Sequence, residues 1–285
     1  LARNTDRTGA QNINVEAPPP PVAQDNDSGA FSFVVPTEFV ELPSQGRYYM
    51  ENHPLHGEDT IEIKQMTAKE EDILTSRSLL KKGVALDRLI KSLIVDKRIK
   101  AESLLVGDRN AIIIAARRSG YGNLYETQVT CPGCSTQQQY TFDLNEADVY
   151  EGRTPEELEV VANDDNTFNV TLPQTGIIVT FRVLTGQDEK TLVNGVEHDR
   201  RKKGIEKNVT RQLTHIICAV NGDRSPETIK YLVENIPSMD ARHLRFVYRQ
   251  ATPNINLEQH FVCNECDYEQ SMEVPLTADF FWPDR

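Results

Sequence analysis

Four of the five cysteines in this 285-residue chain fall into two Cys-x-x-Cys pairs, Cys131-Pro-Gly-Cys134 and Cys263-Asn-Glu-Cys266, while Cys218 stands alone. Two cysteines separated by two residues can both point at one ion when the turn between them is tight, and Pro132-Gly133 favours such a turn. Four thiolates arranged as a tetrahedron suit zinc and leave it no open coordination position, so the expected chemistry is structural rather than catalytic. Cys131, Cys134, Cys263 and Cys266 are therefore the candidate ligands of one structural Zn2+. The same spacing suits iron–sulfur ligation. The competing reading is four reduced cysteines packed as small hydrophobes, or a disulfide made during handling. A thioredoxin-like redox pair is disfavoured, because neither pair opens a helix after a strand. Cys218 reads as a core residue beside the apolar face of a helix.

Each pair must be held by its flanking chain. Leu124–Thr130 runs into the first pair and Gln137–Leu144 runs out of it; Ile255–Val262 and Tyr268–Val274 flank the second, with Pro275 as a stop. Two such hairpins facing each other make a zinc ribbon. The unusual feature is the distance: residues 135 to 262, 128 in all, separate Cys134 from Cys263, against about 15–20 in a compact ribbon. The hairpins are thus expected to flank an inserted domain, roughly 145–254, with zinc as a clip across a loop whose closure is entropically costly.

The remaining elements follow from periodicity and punctuation. Phe31–Val35 alternates briefly before Pro36, and Thr60–Met66 alternates as a half-buried strand should. Thr67-Ala-Lys-Glu70 is a capping box opening a helix through about Lys82, closed by Gly83. Leu86, Leu89, Ile90, Leu93 and Ile94 mark a second helix. Asp108 is the N-cap of a third, apolar nearly all round and hence buried, with Arg117 and Arg118 in its last turn and Gly120 as its C-terminal punctuation. Thr167–Leu172 and Gly176–Leu184 form a hairpin. Residues 186–251 read as helical: Val209, Leu213, Ile216, Ile217 and Val220 share one face, Ser225-Pro226 starts a helix, and Ala241, Leu244, Val247, Tyr248 and Ala251 mark another face after Ser238. The expected class is α+β, with zinc-ribbon-like β-hairpins, helical segments and an inserted α/β domain. The expected organisation is a disordered Pro-rich arm over 1–30, a strand and helix segment with the first knuckle over 31–144, the insertion over 145–254, and the second knuckle with an aromatic tail over 255–285.

Composition bounds the function. A 38% hydrophobic content supplies a core, and the net charge of −12 argues against broad attraction to nucleic acid. No apolar run approaches the roughly 20 residues of a membrane span, and the polar, Asn-rich start is unlike a signal peptide. Leu1 in place of an initiating Met leaves the true start missing or processed. His53 and His56 are separated by Pro54, and His215, His243 and His260 are scattered, so no histidine triad is expected. Glu70-Glu71 and Asp164-Asp165 read as surface carboxylates. With no G-x-S-x-G, P-loop or G-x-G-x-x-G, no catalytic residues are expected and the chain is not expected to be an enzyme. Arg200-Arg-Lys-Lys203 is the one dense basic run, a solvated helix end or a dock for an acidic partner. Phe280, Phe281 and Trp282 either fold back on the hairpins or anchor another subunit.

Four pieces carry a resemblance: Val40-Glu-Leu-Pro-Ser-Gln-Gly46 with Tyr48 behind it; Ile61–Leu74 as strand then helix; the buried helix leading through Gly120-Tyr-Gly122 to Cys131-Pro-Gly-Cys134; and the Cys263-x-x-Cys266 hairpin followed by Phe280-Phe-Trp282. In this order they resemble the baseplate hub proteins of contractile-tailed, T-even-type bacteriophages, over roughly residues 35–285. The resemblance implies a non-enzymatic structural or assembly component of the baseplate hub. Its implied partners are other hub and tail tube proteins, in multiple copies of a symmetric assembly. Its implied place is the virion tail baseplate, assembled in the host cytoplasm. The Pro-rich arm has no match in that family. The alternative is a zinc-ribbon nucleic-acid-binding factor, against which the acidity and the absence of Lys or Arg beside either knuckle weigh.

Overall fold

The computed structural model describes residues 33–81, 83–202, 207–275 and 278–281, and the arm expected over 1–30 lies outside them. From Thr37 the chain forms one body. β1 (Thr37–Glu41) pairs antiparallel with β2 (Thr60–Lys64), so the first strand among the described residues follows Pro36, while Phe31 and Ser32 of the expected alternation lie outside them. α1 (Ala68–Thr75) opens as expected, with the Glu70 carboxylate accepting from the Thr67 N–H and hydroxyl. Glu70 also accepts from Ser92 and is buried, so it is a cap and not a surface carboxylate. The helix expected to run on to Lys82 breaks at Ser76, whose extended backbone and carbonyl start α2 (Arg77–Lys81); Lys82 itself lies outside the described residues. α3 (Ala85–Leu93) buries Leu89, Ile90 and Leu93 completely, each contributing roughly 1.5–3 kcal/mol.

α4 (Val106–Tyr121) is the axis of the body, packed against β1, α3 and the elements below. Its predicted burial holds for every residue from Gly107 to Arg117 except Asn110. Its predicted ends shift. Leu105 is the N-cap and Asp108 sits in the first turn, fully buried, accepting from the Ser44 N–H (3.0 Å), the Ser44 hydroxyl (2.7 Å) and the Tyr49 hydroxyl (2.7 Å). Tyr49 Oη in turn accepts from the Leu105 N–H. The helix passes through Gly120 and stops at Gly122, whose φ of +83° suits glycine.

β3 (Leu124–Thr130) and β4 (Gln137–Asp143) form the first cysteine hairpin with the predicted bounds to within a residue. β5 (Asp148–Tyr150) follows. β6 (Val161–Ala162), β7 (Thr167–Thr171) and β8 (Ile178–Arg182) begin a sheet whose inner face carries Phe168 stacked on Phe181 at 5.2 Å. α5 (Gly186–Arg201) and α6 (Asn208–Ile216) lead to β9 (Ile217–Val220), which completes the order β6-β7-β8-β9. Ile217 and Val220 are thus strand residues, and Cys218 is a half-buried residue of that strand and not part of a helix. α7 (Pro226–Asn235) and α8 (Ser238–Ala251) follow the predicted starts.

β10 (Asn254–Asn256) pairs with β5, so Ile255 belongs to this separate strand and not to the last hairpin. That hairpin is β11 (Glu258–Val262) with β12 (Glu269–Glu273). β10 passes α4 at Gly107, where an added Cβ would lie 2.1 Å from the Pro253 carbonyl oxygen. One hydrophobic core runs from Val40 to Phe281.

Candidate metal centre

The two knuckles repeat one backbone geometry. In the first, the Cys131 N–H donates to Thr136 O (2.9 Å) and the Ser135 N–H to Cys131 O (2.8 Å); in the second, the Cys263 N–H donates to Tyr268 O (2.9 Å) and the Asp267 N–H to Cys263 O (3.1 Å). Ser135 and Asp267, each next after its second cysteine, both take positive φ, +61° and +54°. The leading cysteine of each pair is buried and the trailing one exposed. The Gly133 N–H donates to Cys131 Sγ at 3.3 Å.

The four Sγ atoms lie within 4.8 Å of one another. Cys131 Sγ is 3.8 Å from Cys266 Sγ, and Cys134 Sγ is 3.7 Å from Cys263 Sγ. Each close pair joins the leading cysteine of one knuckle to the trailing cysteine of the other, so a local two-fold relates the halves. A thiolate tetrahedron with metal–sulfur bonds of about 2.3 Å has edges of about 3.8 Å, so the donor set fits a single tetrahedral ion. The protons must leave for that. The Thr136 hydroxyl and amide hold Cys134 down to about 6. The Tyr268 amide favours a Cys266 thiolate, yet the neighbouring sulfurs, Cys134 foremost, push Cys266 up to about 12. Four thiols this close do not ionise together without a cation between them.

Side chains the cysteine motif does not announce hold the hairpins together. Gln259, buried on β11, accepts from the Asp143 N–H (3.1 Å) and donates to its carbonyl (2.7 Å). Gln138 accepts from the Asn264 N–H, and the Tyr140 hydroxyl donates to His260 O (2.9 Å) while its ring packs on Phe261. Tyr268 covers the first knuckle so closely that a Cβ on Gly133 would sit 2.9 Å from its ring. The available signal was a glutamine at the inward position of an alternating strand.

Phe280 and Phe281 are buried at 3% and 4% exposure, against β3 and α4, while Trp282 lies outside the described residues. Arg117, expected to face the helix dipole, is instead fully buried. It donates to the carbonyls of Phe280 (2.6 Å), Gly122 (2.7 Å) and Leu124 (3.2 Å), inside a ring of Tyr121, Tyr125 and Phe280. Among the described residues no histidine joins a metal-ligand group; His53 stacks on Tyr49 and meets Ser103. Asp165 is tied to Arg224 and Thr167. Arg201 pairs with Glu197 at the end of α5, and Lys203 lies outside the described residues.

The model of one family, T4 bacteriophage base plate protein, matches residues 36–282, most of the chain. The chain belongs to this base plate family. No curated protein and no solved structure matches it. As a phage base plate component, it has other base plate proteins as its partners and the virion tail as its place. No helix of the described base plate chain is long and apolar enough to cross a membrane.

Proposed function

We propose that this base plate chain is a structural or assembly component of the baseplate hub, held in shape by one structural zinc ion on Cys131, Cys134, Cys263 and Cys266. The observation that carries the metal is the pair of Sγ–Sγ edges, 3.7 and 3.8 Å, across a two-fold junction of two knuckles. Zinc bound there supplies a fixed cross-link and no reactive position, because four thiolates fill its coordination sphere. The segment 145–254 then acts as a domain inserted between the hairpins; the β5–β10 pairing, Tyr150 opposite Asn254, supports this by joining its two ends a second time. The same closed site and the family support a non-enzymatic role.

The exposed positions of the hairpins, Gln137, Gln139, Glu258 and Glu269 among them, are neutral or acidic. They support docking to hub and tail tube proteins over binding to nucleic acid. Elemental analysis of the purified chain is expected to give one zinc per chain, lost in Cys131→Ser. A folded chain without metal, or with a stoichiometric metal other than zinc, overturns the zinc. A cryo-EM map of the parent tail tests the hub: density for this chain away from the centre of the base plate overturns that position.

A further inference from the structure

α8 turns a face outward that the rest of this acidic molecule does not resemble. Its core face is Ala241, Leu244, Val247 and Ala251. Opposite them, at helical spacing, stand Met239, Arg242, Phe246 and Arg249, with Arg245 beside them. Met239 and Phe246 are 64% and 47% exposed. The single acidic residue of the helix, Asp240, is buried and spent on Gln174 and Thr175. Among the described residues no carboxylate pairs with Arg242, Arg245 or Arg249, nor with Arg153 across the adjoining cleft. A merely solvated helix face mixes signs and pairs them at i,i+4, as Glu197 and Arg201 do on α5. Arginine, methionine and phenylalanine without lysine or carboxylates is instead the composition of an interface core.

The face borders a cleft of about 1010 Å³ whose lining includes Leu192 of α5, Tyr150 of β5 and Ile255 of β10. We infer that this face and cleft dock an acidic segment of another protein, its carboxylates on the α8 arginines and an apolar side chain against Phe246. Guanidinium groups pair carboxylates bidentately, and an amphipathic segment laid in a groove supplies both contacts at once. A nucleic acid fits less well. Its phosphates offer nothing to Phe246 or Met239, whereas Glu189, Glu258 and Glu273 in the same cleft oppose either anion alike. The inference rests on the reading of the chain as an assembly component, but not on its metal.

The test uses the full chain and three labelled probes in fluorescence anisotropy: an amphipathic helical peptide with glutamates flanking a leucine stripe, the same peptide with lysines in their place, and a 20-base-pair DNA duplex. The glutamate peptide is expected to bind alone, and to lose at least about tenfold in affinity in Arg242→Glu/Arg249→Glu. Phe246→Ser is expected to weaken it separately. Both variants should keep the wild-type unfolding midpoint and zinc content, which separates failure of this surface from failure of the zinc reading. No binding of the glutamate peptide, binding unmoved by the charge reversal, or tighter binding of the duplex overturns the inference.

Discussion

Asp108 concentrates the energetics of single residues in this molecule. It is fully buried, uncharged partners surround it, and every one of them donates a hydrogen bond. Burial raises its pKa, and the bonds from Ser44 and Tyr49 only partly offset that. A folded-state value above the unfolded value of about 3.9 means that the folded chain holds the proton more tightly. This group's contribution to stability is therefore full below pH ~4 and declines as pH rises through the folded value. Asp108→Ala is expected to cost about 2–4 kcal/mol at neutral pH, because it strands the Ser44 N–H and two hydroxyls. Asp108→Asn should cost less and remove the decline. Urea unfolding between pH 4 and 8 checks both, and a wild-type advantage over Asp108→Asn that grows with pH would refute the account. The role of Asp108 was not legible in the sequence. Its spacing before an apolar run is that of an N-cap, and what diverts it is Ser44, 64 residues earlier. Arg117 misleads in the same way, since its main partner, the Phe280 carbonyl, lies 163 residues later. The clustering of the four cysteines was legible because the turn that aims each pair is local and each pair sits on its own hairpin.

At the scale of elements, close approach of backbones decides what periodicity leaves open. Gly107 and Gly120 both lie inside α4, where glycine is ordinarily about 1 kcal/mol worse than alanine. At Gly107 the obstacle is the Pro253 carbonyl at 2.1 Å; at Gly120 it is the Met66 thioether at 3.2 Å, which can turn away. Gly107→Ala is therefore expected to destabilise by about 1–3 kcal/mol by prising β10 from α4, whereas Gly120→Ala should be neutral or slightly stabilising. Thermal unfolding of the two variants side by side tests this, and equal behaviour would mean that the approach at Gly107 is not tight. Hairpins bounded by turn residues, such as β3–β4 and β7–β8, were readable to within a residue or two. The run Ile216-Ile-Cys-Ala-Val220 was not, because a short continuous apolar stretch fits a helix and a buried strand alike; Ile216 ends α6, and pairing with β8 settles the rest as β9. The break at Ser76 escaped for a related reason, since a serine both continues a helical pattern and caps the next helix.

For the whole molecule, the question is what joins segments that lie far apart in the chain. The two knuckles are linked directly by side chains such as Gln259 and Gln138, and by the proposed zinc. Chelation is expected to raise hydrogen exchange first across residues 124–144 and 255–275, before the β6-β7-β8-β9 sheet responds. Unchanged exchange in those two stretches on metal removal would count against the clip. The placement of the second knuckle also bears on synthesis. A ribosome adds residues 135 to 262, 128 in all, between the first knuckle and Cys263, and until Cys266 emerges the first knuckle holds two thiols without their partner sulfurs. Arg117 likewise waits for the carbonyl of Phe280. A chain that stops before Cys263, however well its sheet and helices form, lacks half of the sulfurs and the contacts of Phe280 and Phe281. Closure of the site is thereby tied to synthesis of the whole segment between the knuckles, and copies that stop short of Cys263 cannot complete the four-sulfur cluster.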